Sequence, residues 1–420
     1  MSMMSASAVS DAPPLQPARF IGGSREFWRI IVRGAVLLMI TLGIYRFWLA
    51  TDVRRYLWAN TAIDGEALEY SGTAIELLRG FLIAVALLLP VYTIFLITIL
   101  DLGPLDNILS VSAILLLLFL SQYGTYLARG YRLTRTVFRG LRFHQSGSAF
   151  RYAICALWWW GLTIVTLGFA YPFNRAALER FKMRNTYYGD LQGRFEASGW
   201  RLFIRGCLMW LAVLIPALLA LLALGSIDWP AAAEAMQEDG DILSRLERAS
   251  PGILSAIAFA ISMLGTSFAL IALLMPAFHA LVVRWWLSGI RFGDIAVTSY
   301  LRTRDVYWAY LRFAAYVMGF ALIILAGVLV ALVAIGVLFG SARSQAGEIA
   351  IVLMMIGTYV VTALGLSTLY QGTVIVSVWR LAVDSAALSQ TYPLAHVRAA
   401  GEATSPLGEG ITDILNLGGI

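Results

Sequence analysis

Charge is scarce in this sequence. Only 13% of its 420 residues are charged and 60% are apolar, whereas about a quarter of an ordinary soluble chain is charged. A soluble fold would have to bury apolar runs of about 20 residues as core helices, although helices in globular proteins average about 11–12 residues. The bilayer is the solvent that such runs fit. Cysteine is nearly absent: Cys155 and Cys207 both lie inside apolar stretches, which excludes a disulfide framework or a cysteine metal site and leaves them as packing residues. Histidine is as rare, with His144, His279 and His396. No His-Glu-x-x-His, paired Cys-x-x-Cys, Walker loop or Gly-x-Ser-x-Gly elbow accompanies them, so nothing points to a metal, a cofactor or acyl-transfer chemistry. The expectation is a protein that is not an enzyme.

The net charge of +6 does not mark a nucleic-acid partner, because the basic residues cluster beside apolar segments, as cytoplasmic loops require. Residues 1–18, MSMMSASAVSDAPPLQPA, are small, polar and proline-containing. They have no basic region followed by an apolar one, so they read as a disordered cytoplasmic tail rather than a cleaved signal peptide.

Eight apolar segments follow: Ile30 to Ala50, Leu77 to Leu100, Ile108 to Ala128, Tyr152 to Phe173, Leu202 to Gly225, Gly252 to Val283, Phe313 to Phe339 and Ile349 to Val378. The fold class is therefore an all-α, polytopic transmembrane helical bundle. The stretches from Arg129 to Arg151, Arg175 to Arg205 and Arg284 to Arg312 are rich in arginine, whereas Asp101 to Asn107 and Ser226 to Pro251 are acidic. The charge rule puts the first three inside and the other two outside. Eight simple crossings cannot satisfy it, because two basic loops flank the fourth segment. Six crossings result if the first and fourth segments are re-entrant, with both termini cytoplasmic; eight crossings with a locally broken charge rule is the alternative. Arg33 and Arg46 favour the re-entrant reading. They bracket the uncharged stretch 34–45, too short to span, and a charge near the bilayer centre costs about 2.5–3.5 kcal/mol.

The same two segments resemble each other. Thr41-Leu42-Gly43 recurs as Thr166-Leu167-Gly168, and at the same offset Arg55, Asn60 and Thr61 meet Arg180, Asn185 and Thr186. Arg19-Phe20 corresponds to Arg142-Phe143, and Arg79-Gly80 to Arg205-Gly206. A duplicated unit in parallel orientation is expected, as some transporters have: repeat 1 over 19–128, repeat 2 over 129–283, and a degraded third copy over 284–380 that starts at Arg291-Phe292 and lacks the Thr-Leu-Gly loop. Residues 381–420 then form a cytoplasmic tail.

The run from Phe20 through Gly80 resembles the YjgN-like family of bacterial inner-membrane proteins. The resemblance rests on Gly22-Gly23, Thr41 to Tyr45, Trp48, Arg54-Arg55-Tyr56, Asn60-Thr61, Asp64-Gly65 and Tyr70. The family has a small residue and proline before the tryptophan; here Arg46-Phe47 stand instead, and the second copy keeps Pro172. The resemblance implies an inner-membrane address and a shared module, and brings no substrate, cofactor or catalytic residue.

The candidate solute- or lipid-binding residues are Arg33, Arg46, Arg54, Arg55, Asn60, Asp64, Arg180 and Asn185. Guanidinium forks match phosphate, and an ionisable group at membrane depth should face protein or a water-filled cavity. The plainer alternatives are topology-setting arginines that snorkel to anionic headgroups and turn-forming Asn and Asp-Gly. Gly43, Gly168 and Gly65 read as structural members of the repeat. Two functions follow: transport of a small anionic solute between repeats, or a non-transporting role in which the protein binds lipid or a partner in envelope organisation.

Overall fold

The computed structural model describes residues 16–99, 106–237, 242–339, 345–389, 397–398, 407, 411 and 414. His396, Asp101, Glu238, Asp239, Asp241 and most of the expected N-terminal tail lie outside them. The chain divides into two units, Met1–Gly199 with Arg284–Ile420, and Trp200–Val283.

Among the described residues, six helices are long and apolar enough to cross a membrane, over Ala74–Thr93, Val111–Thr134, Gly199–Gly225, Ile253–Leu287, Thr303–Leu338 and Gln345–Asp384. They belong to α3 (Ala74–Ile99), α4 (Asp106–Thr134), α7 (Gly199–Gly225), α10 (Ile253–Leu287), α11 (Thr303–Phe339) and α12 (Gln345–Tyr370), the last continuing through a π-helical turn at Gln371–Ile375 into α13 (Val376–Asp384). The first and fourth apolar segments differ. Each is broken into two shorter helices, α1 (Ser24–Ile40) with α2 (Arg46–Ala59), and α5 (Ala149–Val165) with α6 (Tyr171–Arg184). At 17 residues, α1 and α5 are about 25 Å long, short of a hydrocarbon core of about 30 Å.

The all-α expectation needs correcting. The described residues are mostly helical but include short strands between the helices: β1 (Gln16–Pro17), β2 (Arg19–Phe20), β3 (Thr61–Ile63), β4 (Glu66–Ala67), β5 (Glu69–Tyr70), β6 (Thr136–Phe138), β7 (Leu141–Gln145), β8 (Thr186–Tyr188), β9 (Leu191–Phe195), β10 (Ile290–Phe292), β11 (Ile295–Ser299) and β12 (Ala386–Ser389). Two-residue turns fold them into hairpins. Asp64-Gly65 and Arg139-Gly140 have positive φ at both positions, and Gly189 and Gly293 at the first position of theirs, the primed geometries that match strand twist.

The strands form a nine-stranded sheet, β1-β12-β11-β10-β9-β8-β7-β6-β5, and a three-stranded sheet, β2-β3-β4. Only Ala18 separates β1 from β2 and only Leu68 separates β4 from β5, so two bent strands join the sheets and the order of neighbours closes into a ring. Aromatic side chains meet inside it. Phe143 and Phe292, on the non-adjacent β7 and β10, meet with ring centroids 6.2 Å apart, and the buried Tyr188 donates its hydroxyl proton to the Phe138 carbonyl at 3.0 Å. Arg19, Arg142 and Arg194 are exposed on the other face.

One rule organises the chain around this ring. A strand leads into helices and the chain returns as that strand's antiparallel neighbour: β2 and β3 around α1–α2, β5 and β6 around α3–α4, β7 and β8 around α5–α6, β9 and β10 around α7 and α10, β11 and β12 around α11–α13. Arg291-Phe292, read from sequence as the start of a third copy, lies on a strand that precedes a hairpin turn, whereas Arg19-Phe20 and Arg142-Phe143 precede helices. The chain ends also take part: Gln16 pairs with Leu388, and Ile411 packs against Ala84 and Leu88.

In the second unit, α8 (Trp229–Gln237) and α9 (Ile242–Ala249) pair between α7 and α10. Ile227, Ala232, Leu246 and Ile253 form their core, and the buried Arg245 donates to the Ala235 carbonyl at 2.9 Å.

Candidate functional site

The short helix pairs concentrate the candidate residues, and each pair turns on its Thr-Leu-Gly. Thr41 Oγ1 donates to the Leu37 carbonyl at 2.7 Å and accepts from the Tyr45 amide at 3.0 Å, so one hydroxyl closes α1 and opens α2. Thr166 does the same for α5 and α6, with the Leu162 carbonyl at 2.8 Å and the Ala170 amide at 3.0 Å. Leu42 and Gly43 adopt φ of 49° and 92°, Leu167 and Gly168 50° and 90°. The amides of Gly43 and Gly168 reach back to Leu38 and Thr163, a six-to-one helix stop that favours glycine. Gly43→Val is expected to cost about 1–2 kcal/mol, the penalty of a Cβ in the left-handed region, and Gly43→Asn less. Unfolding of the purified protein in detergent measures both; equal loss would refute a conformational role. Around each turn large apolar side chains are exposed: Ile40, Leu42 and Ile44 on one pair, Ile164, Val165 and Leu167 on the other.

Arg33 is exposed and donates to the Tyr45 hydroxyl at 3.4 Å. Arg46 lies over the Phe47 and Phe81 rings at 5.6 and 5.5 Å. Both therefore sit near the α1–α2 turn. The other candidates lie toward the sheet. Arg54 is buried and donates to the Tyr70 hydroxyl at 3.2 Å, and Arg55 to the Gly72 carbonyl at 3.0 Å. Arg180 is exposed and reaches the Ala197 carbonyl at 3.4 Å. Asn60 and Asn185 cap helix ends, donating to the Tyr56 and Phe181 carbonyls at 2.8 and 2.7 Å. Asp64 and Gly65 form a hairpin turn, and Asp64 accepts from Arg139 at 2.8 Å. Burial acts to lower the Arg139 guanidinium, but Asp64 and Glu66 outweigh it and hold it above its ordinary value.

Sequence reading missed the residues that join neighbouring strand–helix units. Thr61, Thr136 and Thr186 each open a strand and donate to the carbonyl four residues back. Each hydroxyl also accepts from a neighbouring helix: Thr61 from Trp379 Nε1 at 3.1 Å, Thr136 from Trp58 Nε1 at 2.9 Å, Thr186 from Arg129 Nη1 at 2.8 Å. The signal was a threonine two residues past each of three helix ends. A second missed group is buried on α6. Glu179 accepts from Lys182 Nζ at 2.5 Å and from Trp286 Nε1 at 3.1 Å, and Arg175 is close enough to act on it electrostatically. Among the described residues no cluster of His, Cys, Asp and Glu could hold a metal ion.

These are features of a membrane protein, and the comparisons agree. The chain is 28% identical over 141 residues to the inner membrane protein YjgN of Escherichia coli O157:H7, a match covering 33% of this chain and 32% of that protein. The chain thus spans about a third of the length of the curated relative it matches. No solved structure matches significantly. The family described as bacterial protein of unknown function, DUF898, matches residues 15–414, 400 of the 420 residues, and the chain belongs to that family.

Proposed function

We propose that this is an inner-membrane protein that binds anionic lipid and organises the bilayer around it, rather than conducting a solute. In this reading α1–α2 and α5–α6 enter from the cytoplasmic side and return to it, six helices cross, and the strand ring and both termini are cytoplasmic. The carrying observation is that β2 pairs with β3 and β7 with β8, so each short pair starts and ends at one ladder. The exposed apolar turns support immersion, since such residues fit hydrocarbon. The inner-membrane address follows the name of the E. coli relative. Short and long pairs alternate along the first four units, which supports a duplicated short–long unit followed by one further long pair.

In this reading a pair that turns back inside the bilayer between crossing neighbours would leave a recess above its turn. Arg33 and Arg46 stand at its floor, where a phosphate headgroup would meet them. The protein bonds of Arg54, Arg55 and Arg139 argue against a polar conduit through these residues. Transport of a small anion is the second reading, favoured by two arginines beside a helix break. The test is lipid retained by purified protein. Arg33→Gln with Arg46→Gln is expected to lower bound anionic phospholipid about tenfold or more, at ~1 kcal/mol per basic residue near a headgroup. Unchanged lipid, or anion flux in liposomes lost in the same variant, would sink the proposal and favour transport.

A further inference from the structure

A cavity of about 360 Å³ lies where the start of α1, the start of α11 and the first turns of α13 meet. Its polar lining comes from Gly23, Ser24, Asp305, Arg312, Ser377 and Arg380. The two guanidiniums are only lightly committed. Arg312 donates Nε–H to the Trp308 carbonyl at 3.3 Å. Arg380 stands 3.6 Å from Asp384 Oδ2, while the other oxygen of that carboxylate accepts the Phe20 amide at 2.7 Å. A single carboxylate, Asp305, lines the cavity opposite two arginines.

Gly23 offers a way to block the cavity. Its φ of −86° and ψ of 132° suit any residue, and a Cβ built on it would meet nothing within 4 Å. Gly22 differs: a Cβ there would run into Tyr56 and Phe20 at 2.7–2.8 Å. Gly23 is exposed at the cavity wall, so a side chain placed there occupies the cavity without straining the fold. The Gly23 carbonyl is held by the Tyr56 hydroxyl at 2.6 Å, which fixes this wall.

We infer that this cavity is a binding site for a phosphate group. Arg312 and Arg380 grip the phosphate oxygens, Ser24 and Ser377 donate hydroxyls, and Asp305 accepts from a hydroxyl or ammonium on the alcohol attached to that phosphate. Charge-assisted bonds from two guanidiniums to one phosphate are the strong kind, and the volume suits a headgroup rather than a larger ligand. A phospholipid and a soluble phosphoester share this chemistry. The lipid source rests on the cytoplasmic-leaflet placement proposed above; the site itself does not.

The experiment uses the full chain in phosphatidylcholine nanodiscs. One arm adds phosphatidylglycerol and reads retained lipid by native mass spectrometry; the other adds glycerol phosphate or inorganic phosphate and reads the thermal shift. Gly23→Leu fills the cavity without removing charge, and Arg312→Gln with Arg380→Gln removes charge without filling it. Arg194→Gln, an exposed arginine on β9 outside the cavity, is the control. Both test variants are expected to lose about tenfold or more in occupancy while the control binds normally. Loss confined to the lipid arm identifies a headgroup; loss in the soluble arm identifies a free phosphoester. Binding unchanged in both variants in both arms overturns the site. Lipid lost in the Arg33 and Arg46 variant but kept in Gly23→Leu would uphold lipid binding by the recess and reject this cavity.

Discussion

Glu179→Gln is expected to destabilise the protein by about 3–5 kcal/mol, the cost of leaving a buried charge without its partner. The side chains of Lys182 and Glu179 are 16% and 6% exposed, so water cannot replace the lost carboxylate. Glutamine keeps an oxygen for Trp286 Nε1, which isolates the effect of charge. Lys182→Met should cost less, because Arg175 still opposes Glu179. The double variant Glu179→Leu with Lys182→Met should recover much of the loss, since replacing a buried pair by apolar residues is often close to neutral. Denaturant unfolding compares the four proteins. A loss below about 1 kcal/mol for Glu179→Gln, the scale of a surface pair, would show that water reaches this group.

The long helices were legible because an apolar run of bilayer length has one solvent it fits. Segment ends read from hydropathy fall close to α3, α4, α7 and α10, and differ most at α11, which starts at Thr303 rather than Phe313 because its first turns are polar. Thr41-Leu42-Gly43 and its copy read from sequence only as a repeat motif; that they break the first and fourth segments shows in the positive φ of Gly43 and Gly168, which stops each helix. The strands were not. They are two to five residues long and lie where arginines had been read as topology signals. In β7, Leu141, Phe143 and Gln145 share one face while Arg142 and His144 take the other, and three turns of such alternation are too few to separate from loop. Asn60 and Asn185 read as loop residues because the helix ends they cap are set by contacts far along the chain. The burial of Glu179, Lys182 and Arg129 was not legible for the same reason: a charge within a basic segment shows its burial only when neighbouring helices are in place.

A membrane-impermeant thiol reagent is expected to label the hairpins from one side only and the α8–α9 region from the other. Suitable single cysteines are Glu66→Cys, Arg142→Cys, Arg194→Cys and Asp294→Cys, all at exposed hairpin positions, and Glu234→Cys, exposed on α8, with Cys155 and Cys207 replaced by alanine. On intact spheroplasts only Glu234→Cys should react; after permeabilisation all five should. The contrast is all-or-none because the alternative is costly. For α5–α6 to cross once, the ladder that pairs Phe143 with Tyr188, His144 with Tyr187 and Gln145 with Thr186 would have to separate across the bilayer, and Arg129 could no longer hold Gln145 and Thr186 together, both at 2.8 Å. For α1–α2 to cross, the pairing of Phe20 with Thr61 would break and Arg46 would lose the Phe81 ring. External labelling at Arg142→Cys or Arg194→Cys would therefore refute the closed strand ring along with the half-depth pairs. Labelling confined to Glu234→Cys would make the ring a cytoplasmic base to which five helical excursions return, two of them without reaching the far side.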